Sequence, residues 1–86
     1  MQKKEPEIHL GLYKHYKGDL YQVIGLARHS EMLDTLVVYQ SLYGSYSLWV
    51  RSIDLFTGMV KDGDKEVSRF TYLSETFSKA PNLRKS

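Results

Sequence analysis

The side chains of this sequence that could do chemistry fall into two groups: histidines set among polar residues, and aromatic residues interleaved with cations. His29-Ser30-Glu31 places a base, a hydroxyl and a carboxylate side by side, the residue types of a nucleophilic site. Adjacent residues of an extended chain point to opposite sides, however, so His29 and Ser30 do not reach one another as base and nucleophile. Ser30 is placed instead to cap a short helical turn, with Glu31 favoured at its positive end. No catalytic residue is assigned, and the chain is read as non-enzymatic. A metal held by His9, His15 and His29 would need the N-terminal end to fold back, and neither a Cys nor an HExxH pairing supports one, so no metal and no cofactor are expected. Asp62-Gly63-Asp64 lacks the third acidic position and the distal Glu of a calcium loop and reads as a hairpin turn.

The aromatic group is richer. Lys14, Lys17, Arg28 and Arg51 alternate with Tyr13, Tyr16, Tyr39 and Trp49, which supplies cations for phosphates and rings for bases. A net charge of +2 made of interspersed signs is not the strongly basic balance of nucleic-acid binders, so nucleic acid is a third reading. The second is a small-molecule pocket, or a minor enzymatic role, around His15, Tyr16, Arg28, His29, Ser30 and Glu31, several of which stand where a strand enters a loop and function is often displayed.

Such residues must be held by short strands. Runs rich in Val, Tyr, Leu and Thr alternate with Gly and Asp turn signals, the pattern of an antiparallel sheet. Residues 10–16 read as a first strand ending at Lys17-Gly18-Asp19, and residues 20–29 as a second, bent at Gly25. Residues 35–42 and 48–52 form the third and fourth, joined across Gly44. Residues 53–57 make one short turn, and a last hairpin pairs Met59-Val60 with residues 67–73 across an Asp-Gly signal. Five or six such strands in so short a chain predict a small all-β barrel of SH3-like type, with one or two short helical turns.

Pairing Leu42 with Leu48 across the Gly44 turn puts Val38, Leu42, Leu48 and Val50 on one face, assigned to the core together with Gly25 and Ala27. Ile24, Leu26, Val37, Tyr39, Trp49 and Arg51 then share the other. That second face is also apolar, whereas a half-solvated sheet should be polar there, so it needs a cover. The last strand, with Phe70, Tyr72 and Leu73, could supply it from within the chain. Alternatively a partner does, since Tyr, Trp and Arg together are the composition of a binding hot spot.

Size and composition bound these readings. At 86 residues the chain supports one core, and with 42% hydrophobic and 13% aromatic residues it can fold without a staple. The domain is placed at residues 8–77, with polar mobile tails at 1–7 and 78–86. The sequence has no cysteine, which fits a reducing compartment; the charged opening residues are not an apolar leader, and no run is long enough to cross a membrane. The expected location is the cytoplasm, with no membrane partner.

His15-Tyr16-Lys17-Gly18, Ala27-Arg28-His29-Ser30-Glu31, Val37-Val38-Tyr39, Tyr43-Gly44 and Trp49-Val50-Arg51, taken together, resemble a small bacterial family, the domain of unknown function 1653, from about Gly11 to Tyr72. The resemblance implies an SH3-like barrel and a bacterial origin, and no activity, because the family has none established. Ser52 departs from its pattern, standing where members commonly carry Pro. The function expected, from the doubly apolar middle strands, is that of a binding or adaptor domain, whose Tyr39, Trp49 and Arg51 face meets a protein segment or a second copy of the chain.

Overall fold

The computed structural model describes residues 8–75; the tails placed at 1–7 and 78–86, and Phe77 at the domain boundary, lie outside them. Seven strands and one helical turn follow in order: β1 Gly11–His15, β2 Leu20–Arg28, β3 Thr35–Ser41, β4 Leu48–Ser52, α1 Ile53–Phe56, β5 Met59–Asp62, β6 Lys65–Ser68 and β7 Phe70–Ser74. The first four strands and the helical turn fall where the alternation and the turn residues put them. The last hairpin differs. Asp62 and Lys65 belong to its ladder, and the turn is only Gly63-Asp64, with Gly63 at φ 68 in the first central position, as a II′-type turn requires. Residues 67–73 are split at Arg69, so β6 completes the hairpin and β7 leaves it.

β7 returns to pair with β1, giving a five-stranded antiparallel sheet in the order β4-β3-β2-β1-β7 beside the two-stranded β5-β6 sheet. The architecture is all-β, as expected, with seven strands in place of five or six. The hydrogen-bonded pairings describe an open sheet whose edges are β4 and β7. It is nonetheless strongly coiled. On a flat sheet β3 and β7 stand three spacings apart, about 14 Å, yet the rings of Tyr39 and Phe70 lie 5.5 Å centre to centre. A bulge between Val23 and Gly25 in β2 helps the sheet to bend. Gly11 sits at φ 130 where β1 meets the end of β7, and a Cβ there would run into the Ser74 carbonyl oxygen and Glu75 Cα, so only glycine lets the two backbones come this close.

Strand register corrects the assignment of the core. β3 and β4 pair as Val38↔Val50, Tyr39↔Trp49 and Gln40↔Leu48, two residues from the expected Leu42 and Leu48 pair. A shift of two preserves the faces, but the face assigned to the core is the exposed one, and the second face, for which the last strand is one expected cover, is the buried one. Val37 and Tyr39 are buried with Tyr13 and Val23, whereas Leu48 and Val50 are exposed and Val38 is half-buried. Covers from within the chain decide this: Phe56 from α1 and Phe70 from β7 stack at 4.0 Å and 5° over the buried tyrosines. The bulge also moves Ile24 out of the set, so Val23, not Ile24, stands opposite Tyr39. On the opposite face the centre is polar: Gln22 Nε2 donates to Gln40 Oε1 at 2.8 Å, and Gln40 Nε2 donates to the Tyr46 carbonyl at 2.9 Å. Among the described residues every buried side-chain polar atom has a partner, as packing demands.

Candidate aromatic and arginine pocket

The residues grouped around His15 and His29 do not converge. Leu20, which pairs with Lys14 beside His15, opens β2, and Arg28 closes it eight steps later, up to about 26 Å along the strand. His15 and Tyr16 thus sit at one end of the sheet, and Arg28, His29, Ser30 and Glu31 at the other. Both histidines cap turns. His15 Nδ1 accepts from the Lys17 amide at 3.2 Å, and His29 Nδ1 accepts from the amides of Glu31 and Met32, each at 3.1 Å. The loop cap expected of Ser30 is therefore supplied by His29, whose side chain reaches the two amides while Ser30 is exposed within the turn. Arg28 donates to the Leu33 carbonyl across the same loop at 3.4 Å.

The Tyr39 face gathers more. Tyr39 stands directly opposite Trp49, and Arg51, two residues along β4, donates from Nε to the Tyr39 hydroxyl at 3.2 Å. Tyr21 enters from β2, in edge contact with Tyr39 at 5.5 Å, and Tyr43 from the β3-β4 loop, its hydroxyl 2.7 Å from that of Tyr21. Tyr43 is held there by a tight loop: the Tyr46 amide donates to the Tyr43 carbonyl, Tyr46 takes φ 55, and Gln40 fixes the Tyr46 carbonyl. These five residues line a cavity of about 230 Å³, with Trp49 about half exposed at its mouth. Val37 lies beneath in the core. Leu26 and Ile24 are exposed on β2 and are not among the lining residues, so of six residues proposed for this face three build the pocket.

Electrostatics give the pocket a positive sign. Among the described residues no acidic side chain lines it, and the Arg51 guanidinium uses Nε on Tyr39, with its terminal amino groups turned to no other described side chain. Burial, and then the hydrogen bond with Tyr43, push the Tyr21 phenol well above its ordinary range, so it stays a neutral donor and acceptor. Burial lowers the His15 imidazole, and the cations Arg51 and Arg69 lower it further. The ring of His15 lies 6.2 Å from Tyr21, so a neutral imidazole extends the aromatic wall. Deeper in, Tyr13 is pushed up to about 12 by burial and by Tyr72, and its hydroxyl donates to the His9 carbonyl at 2.7 Å. A second cavity of about 300 Å³, between β1, β6 and β7, is lined by Lys14, His15, Tyr16 and Asp62 among others; it brings a single histidine against mixed charges.

Tyr21 and Tyr43 are pocket walls that the pattern of middle-strand residues did not single out. The signal was present in the first turn: a hairpin across Gly18 pairs Tyr13 with Tyr21, which places Tyr21 on the face of Tyr39 once Val23 is paired with it.

Over residues 11–72, which carry both the pocket and its covers, the sequence matches the family described as Protein of unknown function (DUF1653). The chain belongs to this family. A solved structure, described as a protein belonging to DUF1653 from Bordetella bronchiseptica, is similar with a TM-score of 0.74 and 33% identity, covering 81% of this chain and 92% of that one. No curated protein matches. Ser52, the departure from the family pattern, has φ −58, a value proline would also hold, and its hydroxyl accepts from the Leu55 amide to cap α1. Ser52 thus shapes the entry into α1, which carries Phe56 to the core. No helix among the described residues is long and apolar enough to cross a membrane.

Proposed function

We propose that this chain is a non-enzymatic binding domain of the bacterial cytoplasm that receives a segment of another protein at Tyr21, Tyr39, Tyr43, Trp49 and Arg51. The observation that carries this reading is the pocket itself: four aromatic walls and a guanidinium, with no acidic lining among the described residues, on one face of the sheet. Tyr, Trp and Arg anchor protein interfaces because they combine large area with few rotors and fixed donors. Size favours a peptide over a metabolite. Small-molecule sites run to about 300–1,000 Å³, whereas this one holds about 230 Å³, room for one or two side chains of an extended segment. The arginine favours a carboxylate or backbone carbonyl next to the inserted group. The coil that brings Tyr39 against Phe70 supports an SH3-like barrel, a scaffold that presents an aromatic groove of this kind. The non-enzymatic reading is supported by the separation of His15 from Arg28, His29 and Glu31 at opposite ends of the sheet, which gives them no shared site.

The test is selection from a displayed random-peptide library against the wild-type chain and against the Trp49→Ala, Arg51→Ala double variant. Enriched sequences that bind the wild type and lose at least about tenfold in the double variant, with its fold intact, are expected. Failure to enrich any sequence, or binding indifferent to both substitutions, overturns the reading. Salt-sensitive capture of RNA or single-stranded DNA in its place would turn it toward nucleic acid.

A further inference from the structure

Among the described residues β4 is an edge strand, and of the devices that usually protect one it carries only the charge of Arg51. Its five residues are Leu48-Trp49-Val50-Arg51-Ser52, without Pro or bulge, and Leu48, Trp49 and Val50 are exposed at 62%, 51% and 59%. The other edge, β7, is joined to β1 through a register shift at Leu12/Tyr13. β4 pairs in register over its whole length and leaves a regular template outside.

The direction of that template follows from the register. The Ser41 amide donates to the Ser47 carbonyl at 3.0 Å, which makes Ser41 and Ser47 a hydrogen-bonded pair. Such pairs alternate along an antiparallel ladder. Trp49 and Arg51 therefore turn their backbone groups toward Tyr39 and Val37, while Leu48, Val50 and Ser52 turn theirs away from β3. The Ser52 carbonyl accepts the first bond of α1 as its N-cap, which leaves the Ser52 amide and both groups of Leu48 and Val50 facing outward.

We infer that β4 pairs antiparallel with β4 of a second copy of this chain, about a two-fold axis at Val50, so that Arg51 of each copy lies across from Trp49 of the other. The strand is self-complementary in this register. Val50 faces Val50 of the second copy as a hydrogen-bonded pair with two bonds, and each Ser52 amide donates to Leu48 of the other copy. All five residues are paired. Trp49 and Arg51 meet in the closer, non-hydrogen-bonded positions, where a guanidinium can lie on an indole face. Centring the axis on Trp49 or on Arg51 shortens the paired run, and the second choice sets two guanidinia against each other. Because the axis is normal to the sheet, the two pockets open on the same face, and the mouth of each, at Trp49, is completed by Arg51 of the other copy. The inference deepens the binding-domain reading by naming one partner, yet it uses the strand edge and stands or falls apart from what the pocket receives.

The experiment is light scattering over a concentration series to about 1 mM, the range in which small, transient interfaces assemble, combined with residue-resolved amide exchange. The mass is expected to rise from 10.0 kDa toward twice that value. Exchange at Val50 and Ser52, whose amides gain partners, should slow with concentration, while Trp49 and Arg51, already bonded to β3, do not change. Val50→Pro removes an outward amide without touching the β3 ladder and should hold the mass at 10.0 kDa. Val50→Lys, which sets like charges together at the axis, should do the same should the proline variant fold poorly. A wild-type mass that stays at 10.0 kDa throughout the series, or a dimer that survives both substitutions, overturns the inference. A peptide selected on the pocket should still bind the Val50→Lys monomer, so failure of the dimer and failure of the pocket are read separately.

Discussion

Two aromatic groups share one face of the sheet and meet opposite fates. In the inner group, Tyr13 and Tyr39 lie beneath Phe56 and Phe70, which stack on each other at 4.0 Å, and all four are buried. In the outer group Tyr21, Tyr43 and Trp49 surround a cavity and keep part of their rings in water, with Arg51 between them. Residue type does not separate the two, and Tyr39 belongs to both. What separates them is the reach of α1 and β7: Phe56 and Phe70 bury Tyr13 and Tyr39, Phe70 meets Tyr21 only edge-on, and Tyr43 and Trp49 stay exposed. The inner group stabilises; the outer group is left with surface to offer.

The largest effect should come from removing the cover. Phe56 is 1% exposed and touches Tyr13, Tyr39 and Phe70, so Phe56→Ala is expected to lose about 3–5 kcal/mol, a large fraction of the roughly 4–13 kcal/mol available to a chain of this size. A fall in Tm of at least about 12 °C measures it. Next in size is the seam that brings β7 into place. Gly11→Ala drives a Cβ into the Ser74 carbonyl in a backbone region L residues avoid, and should cost about 2 kcal/mol or more. Gly25→Ala, with nothing within 4 Å of the added carbon, should stay within about 0.5 kcal/mol of wild type in urea unfolding. If the two glycine variants unfold alike, β7 is not held to β1 by that close approach.

Much of this architecture was legible in the sequence, because its signals are local. Turn glycines at Gly18, Gly44 and Gly63 bound the strands, and the period-two pattern gave the shared faces of Val38 with Val50 and of Tyr39 with Trp49 and Arg51. Which face is buried was not legible. It depends on Phe56 and Phe70, whose arrival over the sheet is set by the path of the chain after β4 and not by any pattern within β3 or β4. The bulge at Ile24 was half visible as Gly25, but a glycine marks a bend without saying which neighbour is displaced. The pocket of His15, Arg28, His29 and Glu31 failed for a related reason: loop residues at opposite ends of a nine-residue strand look alike in sequence.

Trp49→Ala sharpens the comparison from the outer side. With about half its surface already in water, Trp49 should contribute about 1–2 kcal/mol to stability, well short of Phe56. Its loss is nonetheless expected to abolish peptide selection. A large fall in Tm with this variant would place Trp49 with the inner group.

The smallest expected effect tests whether the outer group is electrically one unit. His15 is held below its ordinary value of 6.5 first by burial and then by Arg51 and Arg69, so its imidazole takes a proton less readily in the folded chain than in the unfolded one. Below the unfolded value the unfolded state binds more protons, and folding stability falls as pH drops through 6.5 toward the lower folded value, levelling beneath it. Above 6.5 this group contributes no pH dependence. Arg51→Ala removes one of the two nearby arginine cations, so the His15 ring protons, followed by NMR, should titrate at higher pH than in the wild type. The acid-side loss of stability should shrink with it. Because Arg51 acts after burial, the titration should move only part of the way back to its ordinary value. If the midpoint does not move at all, the arginine at the pocket is screened from the histidine wall, and the pocket ends at Tyr21.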